Sequence, residues 1–321
     1  MEVGQELNIA GEDYRILEVG SVDRQKGSED REIAKAFNLK RGAPAVIKPL
    51  TNDPLRRFRL NQAIAMLNLM ETALGEFDVP EFWCGRREDG DLTPVEYIEG
   101  VSLQQKLDAL HRAKYPKYAA IVDFTYDMAE GGLEHMGTLP NGIIHRDIKP
   151  SNLLRRPDGT IISIDWEQGG TPQSIKEEYD QFQGMRLGTP DFMTPDHIRD
   201  DRIPDETTDK AALSFACQFA LNNSNPIVNH DNLNGTFIAI ASGGYRKIFR
   251  AARADFEARM IAATRREKNA DNKVKLEAAL PKFKRVRRWL ANAQRYRSED
   301  RPSTVPIHLQ ILRDTGNITE V

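Results

Sequence analysis

Apolar and polar residues alternate from Tyr14 to Gly20 and again from Ile33 to Phe37, the period-two pattern of a half-buried strand and its return. Gly42-Ala43-Pro44 then turns the chain into a short apolar strand, Ala45-Val46-Ile47-Lys48. From Pro54 to Leu74 the period becomes helical, with Phe58, Ala63, Met66, Leu67 and Met70 on one stripe and Pro54 suited to a first turn. Two further strands, Val79–Gly85 and Leu92–Gly100, flank a polar turn at residues 86–91. Beyond them the pattern predicts helices at Leu103–Leu110 and Tyr115–Met136, the latter with Ile121, Phe124, Met128 and Leu133 near helical spacing. Short apolar pairs at Ile143-Ile144 and Leu153-Leu154 bracket a charged octet, and Ile161–Ile164 forms one more strand. The last third predicts helices at Tyr245–Arg266 and Asn272–Leu290, with Pro281 interrupting the second, and a final helix near Ile307–Leu312 before a short tail.

A chain of 321 residues, 40% hydrophobic, suits a two-lobed enzyme. The longest apolar run, Ala211–Leu221, is too short to span a bilayer, and the acidic start Met1-Glu2-Val3-Gly4-Gln5-Glu6 is no secretory leader; a cytoplasmic, membrane-free protein is expected. The two cysteines, Cys84 and Cys217, lie in apolar surroundings and read as buried thiols. Net charge is −3, but residues 246–297 carry 17 Lys/Arg against 5 Asp/Glu, leaving the remainder at −15. That basic region is a candidate docking surface. Its few interleaved aromatics disfavour nucleic acid, and a solvated helix face is the plainer reading.

The octet His145-Arg146-Asp147-Ile148-Lys149-Pro150-Ser151-Asn152 brings together an acid, a cation and an amide, three groups that phosphoryl transfer uses. It resembles the His-Arg-Asp catalytic loop of eukaryotic-type serine/threonine protein kinases. Further motifs carry the same resemblance in the same order. Lys48 ends a strand about a hundred residues earlier, and Asp165 ends the apolar strand Ile161–Asp165, followed by Trp166-Glu167. Gly188-Thr189-Pro190-Asp191-Phe192-Met193-Thr194-Pro195-Asp196 resembles the end of a protein-kinase activation segment, and Arg301 lies in Ser298-Glu299-Asp300-Arg301-Pro302-Ser303.

The resemblance implies an α+β, bilobal protein-kinase-like fold. Residues 1–98 are the mainly β N-lobe, 99–313 the mainly α C-lobe, and 314–321 a tail. It implies that Asp147 accepts or orients the substrate hydroxyl's proton and that Lys149 neutralises developing charge. Asn152 and Asp165 hold Mg²⁺ (or Mn²⁺), and Lys48 pairs with the phosphates of ATP. Gly20, Val46, Leu154 and the backbone of Glu96 and Ile98 contribute to the nucleotide site. His145 is read as structural, and Arg146 as available to pair with a phosphate on the activation segment, where Thr171 and Ser174 are candidate phosphosites and Thr189 is structural. Asp196 and Arg301 are expected to form a buried ion pair, and Asp209 to hold the catalytic loop backbone.

Three departures qualify the likeness. The 20–28 connection, Gly20 to Ser28, is longer and poorer in glycine than the family's phosphate roof. No acid lies between Pro54 and Met70, so Lys48 is left with Glu71, Gln62 or no partner. Glu167 replaces a glycine in a sequence, Asp165-Trp166-Glu167, also similar to aminoglycoside and choline kinases. The expected activity is ATP- and Mg-dependent transfer to Ser/Thr hydroxyls of proteins, itself included. A pseudokinase scaffold and a small-molecule kinase are the alternatives.

Overall fold

The computed structural model describes residues 1–9, 12–21, 32–49, 92–113, 117–139, 142–181, 188–198, 203–228, 231–295 and 298–315. The chain divides into two units, Met1–Glu99 and Gly100–Val321. The Pro54–Leu74 helix, the Val79–Gly85 strand, Glu71, Gln62, Cys84 and most of the 20–28 connection lie outside the described residues.

In the first unit an antiparallel sheet runs β1 (Glu6–Ile9), β2 (Glu12–Ser21), β3 (Glu32–Asn38), β4 (Ala43–Pro49) and β5 (Leu92–Glu96), each strand paired with the next. Strand alternation decides which side is core. Tyr14 and Ile16 of β2, Ala34 and Ala36 of β3, and Ala45 and Ile47 of β4 are all buried, with Ala36 opposite Ala45 and Ala34 opposite Ile47. A bulge between Ile16 and Glu18 leaves Leu17 unpaired and exposed without reversing the inward face on either side. Val46 and Lys48 alternate with the buried residues of β4, and Lys48 stands opposite Thr93. Gly20 is the penultimate residue of β2, opposite Ile33.

The second unit is mainly helical. A small antiparallel sheet, β6 (Val101–Ser102), β7 (Leu153–Arg155) and β8 (Ile161–Ser163), is accompanied by α1 (Leu103–Arg112) and α2 (Lys117–Thr138). Then come α3 (Pro172–Gln181), α4 (Pro195–Ile198), α5 (Glu206–Asn222), α6 (Leu233–Ala241), α7 (Tyr245–Arg266), α8 (Ala270–Ala293) and α9 (Val305–Arg313). Ser102 and Gln105 cap α1 reciprocally, and Asp205 with Thr208 does the same for α5. Helix α2 packs on α5, α8 and α9, joining Met128, Leu133, Leu213, Phe283, Val286, Trp289 and Leu312 in one core. No helix among the described residues is long and apolar enough to cross a membrane.

One expectation about this unit is corrected. Pro281 does not interrupt the helix: α8 continues from Ala270 to Ala293. The proline is exposed, while Leu276, Ala279, Phe283, Val286 and Trp289 on the inner face are buried, and their packing outweighs one missing backbone hydrogen bond. Within the activation segment, residues Pro172–Gln181 form a helix. Pro172 opens α3, and Thr171 and Ser174 cap it, each backbone N–H donating to the other's hydroxyl at 3.0 and 3.2 Å.

Candidate active site

The charged octet hangs between a bridge and a strand. Ile144 and Gly170 exchange backbone hydrogen bonds at 3.0 and 2.9 Å, and β7 begins at Leu153. Between them the chain turns sharply, with Arg146 at φ +65°, a left-handed conformation that costs a non-glycine residue about 1–2 kcal/mol. Asp209, in the first turn of α5, holds it there: its carboxylate accepts from the backbone N–H groups of His145 at 2.6 Å and Arg146 at 2.9 Å. Both ring nitrogens of His145 serve the backbone, Nδ1 accepting from Asp147 N at 3.3 Å and Nε2 donating to Ile164 O at 2.9 Å. The ring also lies 4.5 Å from that of Trp166, so this histidine positions the loop and has no nitrogen left to act as a base.

Around Asp147 the side chains close into a ring. Thr189 Oγ1 donates to Oδ1 at 2.9 Å, and Lys149 Nζ donates to Oδ2 at 2.7 Å and to Thr189 Oγ1 at 2.9 Å. Asn152 Nδ2 donates to Asp147 Oδ2 and to its backbone carbonyl, each at 3.0 Å. Asp147 is buried, and Lys149 keeps part of its side chain in solvent. A carboxylate with an adjacent ammonium can accept a proton from a hydroxyl and offset charge built up beside it. Thr189 therefore bonds directly to the acid and the lysine, beyond the purely structural place expected for it. Just before it, Gly188 sits at φ +110°, a backbone conformation that any side chain there would strain.

Asn152 and Asp165 are linked through the backbone. Ile164 N donates to Asn152 O at 2.9 Å, and Asp165 follows at φ +67°. With Nδ2 committed to Asp147, the Asn152 amide keeps Oδ1 as an acceptor, met by Ser151 Oγ at 3.4 Å. A carboxamide oxygen and a carboxylate are both hard-oxygen donors of the kind magnesium takes. Leu154 is buried in β7, and Lys48, Val46, Glu96, Ile98 and Gly20 belong to the first unit, in or just after its sheet.

Below the loop, Arg301 donates through Nη1 to Asp196, and both are buried. Arg146, read as available to a phosphate, is engaged within the chain. Its Nε donates to the Gln168 carbonyl and its Nη2 to Glu178 Oε2 at 2.7 Å. Its own carbonyl accepts from His197 Nε2 at 3.1 Å. Glu178 and His197 were missed from the sequence because neither falls in a motif; the Thr171-Pro172 helix start was the available signal for α3. Burial lowers the pKa of His197, and lowers that of His135, whose Nε2 meets Ser163 Oγ at 2.7 Å, to about 3. Burial also raises the pKa of the Cys217 thiol well above its usual value, leaving it inert.

Comparison with known proteins identifies the family. The family model described as protein kinase domain matches residues 84–295, and the chain belongs to that family. The chain has the protein kinase fold, with a small sheet-rich first part and a larger helical second part. It is 28% identical over 146 residues to the serine/threonine-protein kinase PknL of Mycobacterium tuberculosis, covering 46% of this chain and 33% of that protein. It is 28% identical over 102 residues to the serine/threonine-protein kinase AfsK of Streptomyces griseus, covering 32% and 12%. To the mitogen-activated protein kinase kinase MST7 of Pyricularia oryzae it is 24% identical over 203 residues, covering 63% and 45%. The chain thus spans less than half the length of each of these relatives.

Proposed function

We propose that this protein kinase transfers the γ-phosphoryl group of ATP, with Mg²⁺, to serine or threonine hydroxyls of proteins, itself included. The observation that carries the reading is the closed cluster of Asp147, Lys149, Thr189 and Asn152. In it Asp147 accepts or orients the proton of the incoming hydroxyl, and Lys149 offsets the charge developing on the transferred group. Asn152 and Asp165 are the residues that would hold magnesium, which supplies charge neutralisation on the phosphate oxygens. Lys48, with Val46 on the same face of β4, Gly20, Leu154 and the backbone at Glu96 and Ile98, is assigned to the nucleotide. The relatives named serine/threonine-protein kinases support the choice of acceptor. The Gly188–Asp196 segment, anchored by Arg301, favours a protein acceptor over the small metabolite suggested by Asp165-Trp166-Glu167.

The test is ³²P transfer from ATP/Mg to the chain itself and to a generic protein. Incorporation is expected, and its loss in Asp147→Ala and Asp165→Ala. Turnover only when small hydroxyl metabolites are supplied would replace the protein acceptor. Absence of both transfer and a magnesium-dependent nucleotide thermal shift would make the chain a scaffold.

A further inference from the structure

The guanidinium of Arg146 is buried, 2% exposed, one residue from the candidate catalytic acid, and its counter-charge comes from the chain itself. Glu178, also buried, reaches it from the second turn of α3 at 2.7 Å. Gln168 O takes Nε, and Asp209 and His197 hold the arginine's backbone on either side. Among the described residues Nη1 has no partner. The helix that delivers Glu178 is fastened independently. Thr171 and Ser174 cap it, and Ile175, one turn before Glu178, is fully buried.

We propose that Glu178 is a built-in counter-anion that positions the catalytic loop through Arg146, so that the loop is set by a carboxylate of the chain and needs no phosphate added to the 171–189 segment. This rests on the kinase reading. Three observations carry it together. The pair is fully buried, where removing one partner leaves an uncompensated charge. The same structure that contains the pair has Thr189, Lys149 and Asp147 already joined, so docking of α3 and assembly of the acid's cluster are compatible. The two hydroxyls that the sequence offers for phosphorylation are engaged in the α3 cap. A phosphate on Ser174 would remove the Oγ–H that it donates to the Thr171 carbonyl, and a second anion brought to Arg146 would have to displace the first.

The experiment uses the full chain, prepared with phosphatase and verified by mass to carry no phosphate. The unphosphorylated protein is expected to phosphorylate a generic protein within about twofold of the rate of an ATP-preincubated sample. The isosteric Glu178→Gln, which keeps size and removes charge, is expected to lower kcat about 10²-fold, equivalent to roughly 2.7 kcal/mol, with KM for ATP unchanged. The double variant Arg146→Gln/Glu178→Gln is expected to lose no more than Glu178→Gln alone, because the stranded charge is gone. More than tenfold activation by phosphorylation would overturn the proposal, and so would unchanged or raised activity in Glu178→Gln. If the wild-type chain transfers no phosphate at all, it is the kinase reading that fails. Hydrogen exchange at the amides of residues 145–149 then decides the positioning role: at least tenfold faster exchange in Glu178→Gln supports it, and exchange within threefold of wild type overturns it.

Discussion

Asp209→Ala tests what keeps the catalytic loop in its strained turn. The substitution removes the acceptor of two buried backbone donors, His145 N and Arg146 N. An unmade buried hydrogen bond costs about 1–3 kcal/mol, which sets a range of about 2–6 kcal/mol for the pair. Two features narrow it. Arg146 remains clamped by Gln168, Glu178 and His197, so its left-handed backbone does not relax and the strain is not recovered. Beneath Asp209 lies a cavity of about 170 Å³, lined also by Glu206, Lys210, Met136, Ile143 and Val305. A water occupies roughly 30 Å³ and needs two or more polar partners, so the cavity joined to the space left by the Asp209 carboxylate has room for one, which would relieve part of the loss. The loss is therefore expected near the lower end, about 2–3 kcal/mol, and about half that in Asp209→Asn, which keeps one acceptor oxygen. Native-state hydrogen exchange at the amides of residues 145 and 146 reads this directly: exchange should quicken by roughly 30- to 150-fold in Asp209→Ala. Exchange within threefold of wild type would show that the carboxylate does not hold the loop.

Breaking the other lower support should cost more, since it strands a full buried charge rather than two amides. Asp196→Ala strands a buried Arg301 and is expected to destabilise the second unit by about 3–5 kcal/mol, measured by urea unfolding with Trp166 and Trp289 as reporters. Pro281→Ala restores a backbone donor in the middle of α8 at an exposed position, and should stabilise by about 1–3 kcal/mol in the same assay. Acid should weaken the fold before the carboxylates titrate. Burial lowers His135 from 6.5 to about 3 and His308 from 6.5 to about 4, so both stay neutral in the folded chain while the unfolded chain takes up protons. Each contributes stability that is full above pH 6.5 and declines by about 1.4 kcal/mol per pH unit as pH falls toward its folded value. A midpoint of urea unfolding independent of pH between 6.5 and 4.5 would contradict this. In His135→Gln and His308→Gln the slope should shrink.

Much of the fold was legible because local pattern and tertiary burial agree. Tyr245–Arg266 was read as a helix to the residue, since Phe249, Phe256 and Met260 repeat at helical spacing and all three are buried. Strands β2 to β4 were legible for the same reason at period two. Pro281 misled because a breaker read in isolation carries its full penalty, whereas in α8 the buried face on both sides of it compensates. Helix α3 was missed because it is short, largely polar and buries mainly Ile175 and Glu178, which gives periodicity little to register.

The candidate site divides along the same line. Sequence by itself determined the chemical inventory, Asp147, Lys149, Asn152 and Asp165 in order, together with the fold family, because an ordered series of residue types survives without coordinates. Tertiary structure alone decided who answers whom. Thr189 was a loop hydroxyl until the turn at Gly188 brought it within 2.9 Å of both the acid and the lysine. Arg146 could be read only as a cation available to a phosphate, and α3 brings Glu178 to it from 32 residues away. Partnerships of that kind depend on distance and burial, and the order of residues along a chain records neither.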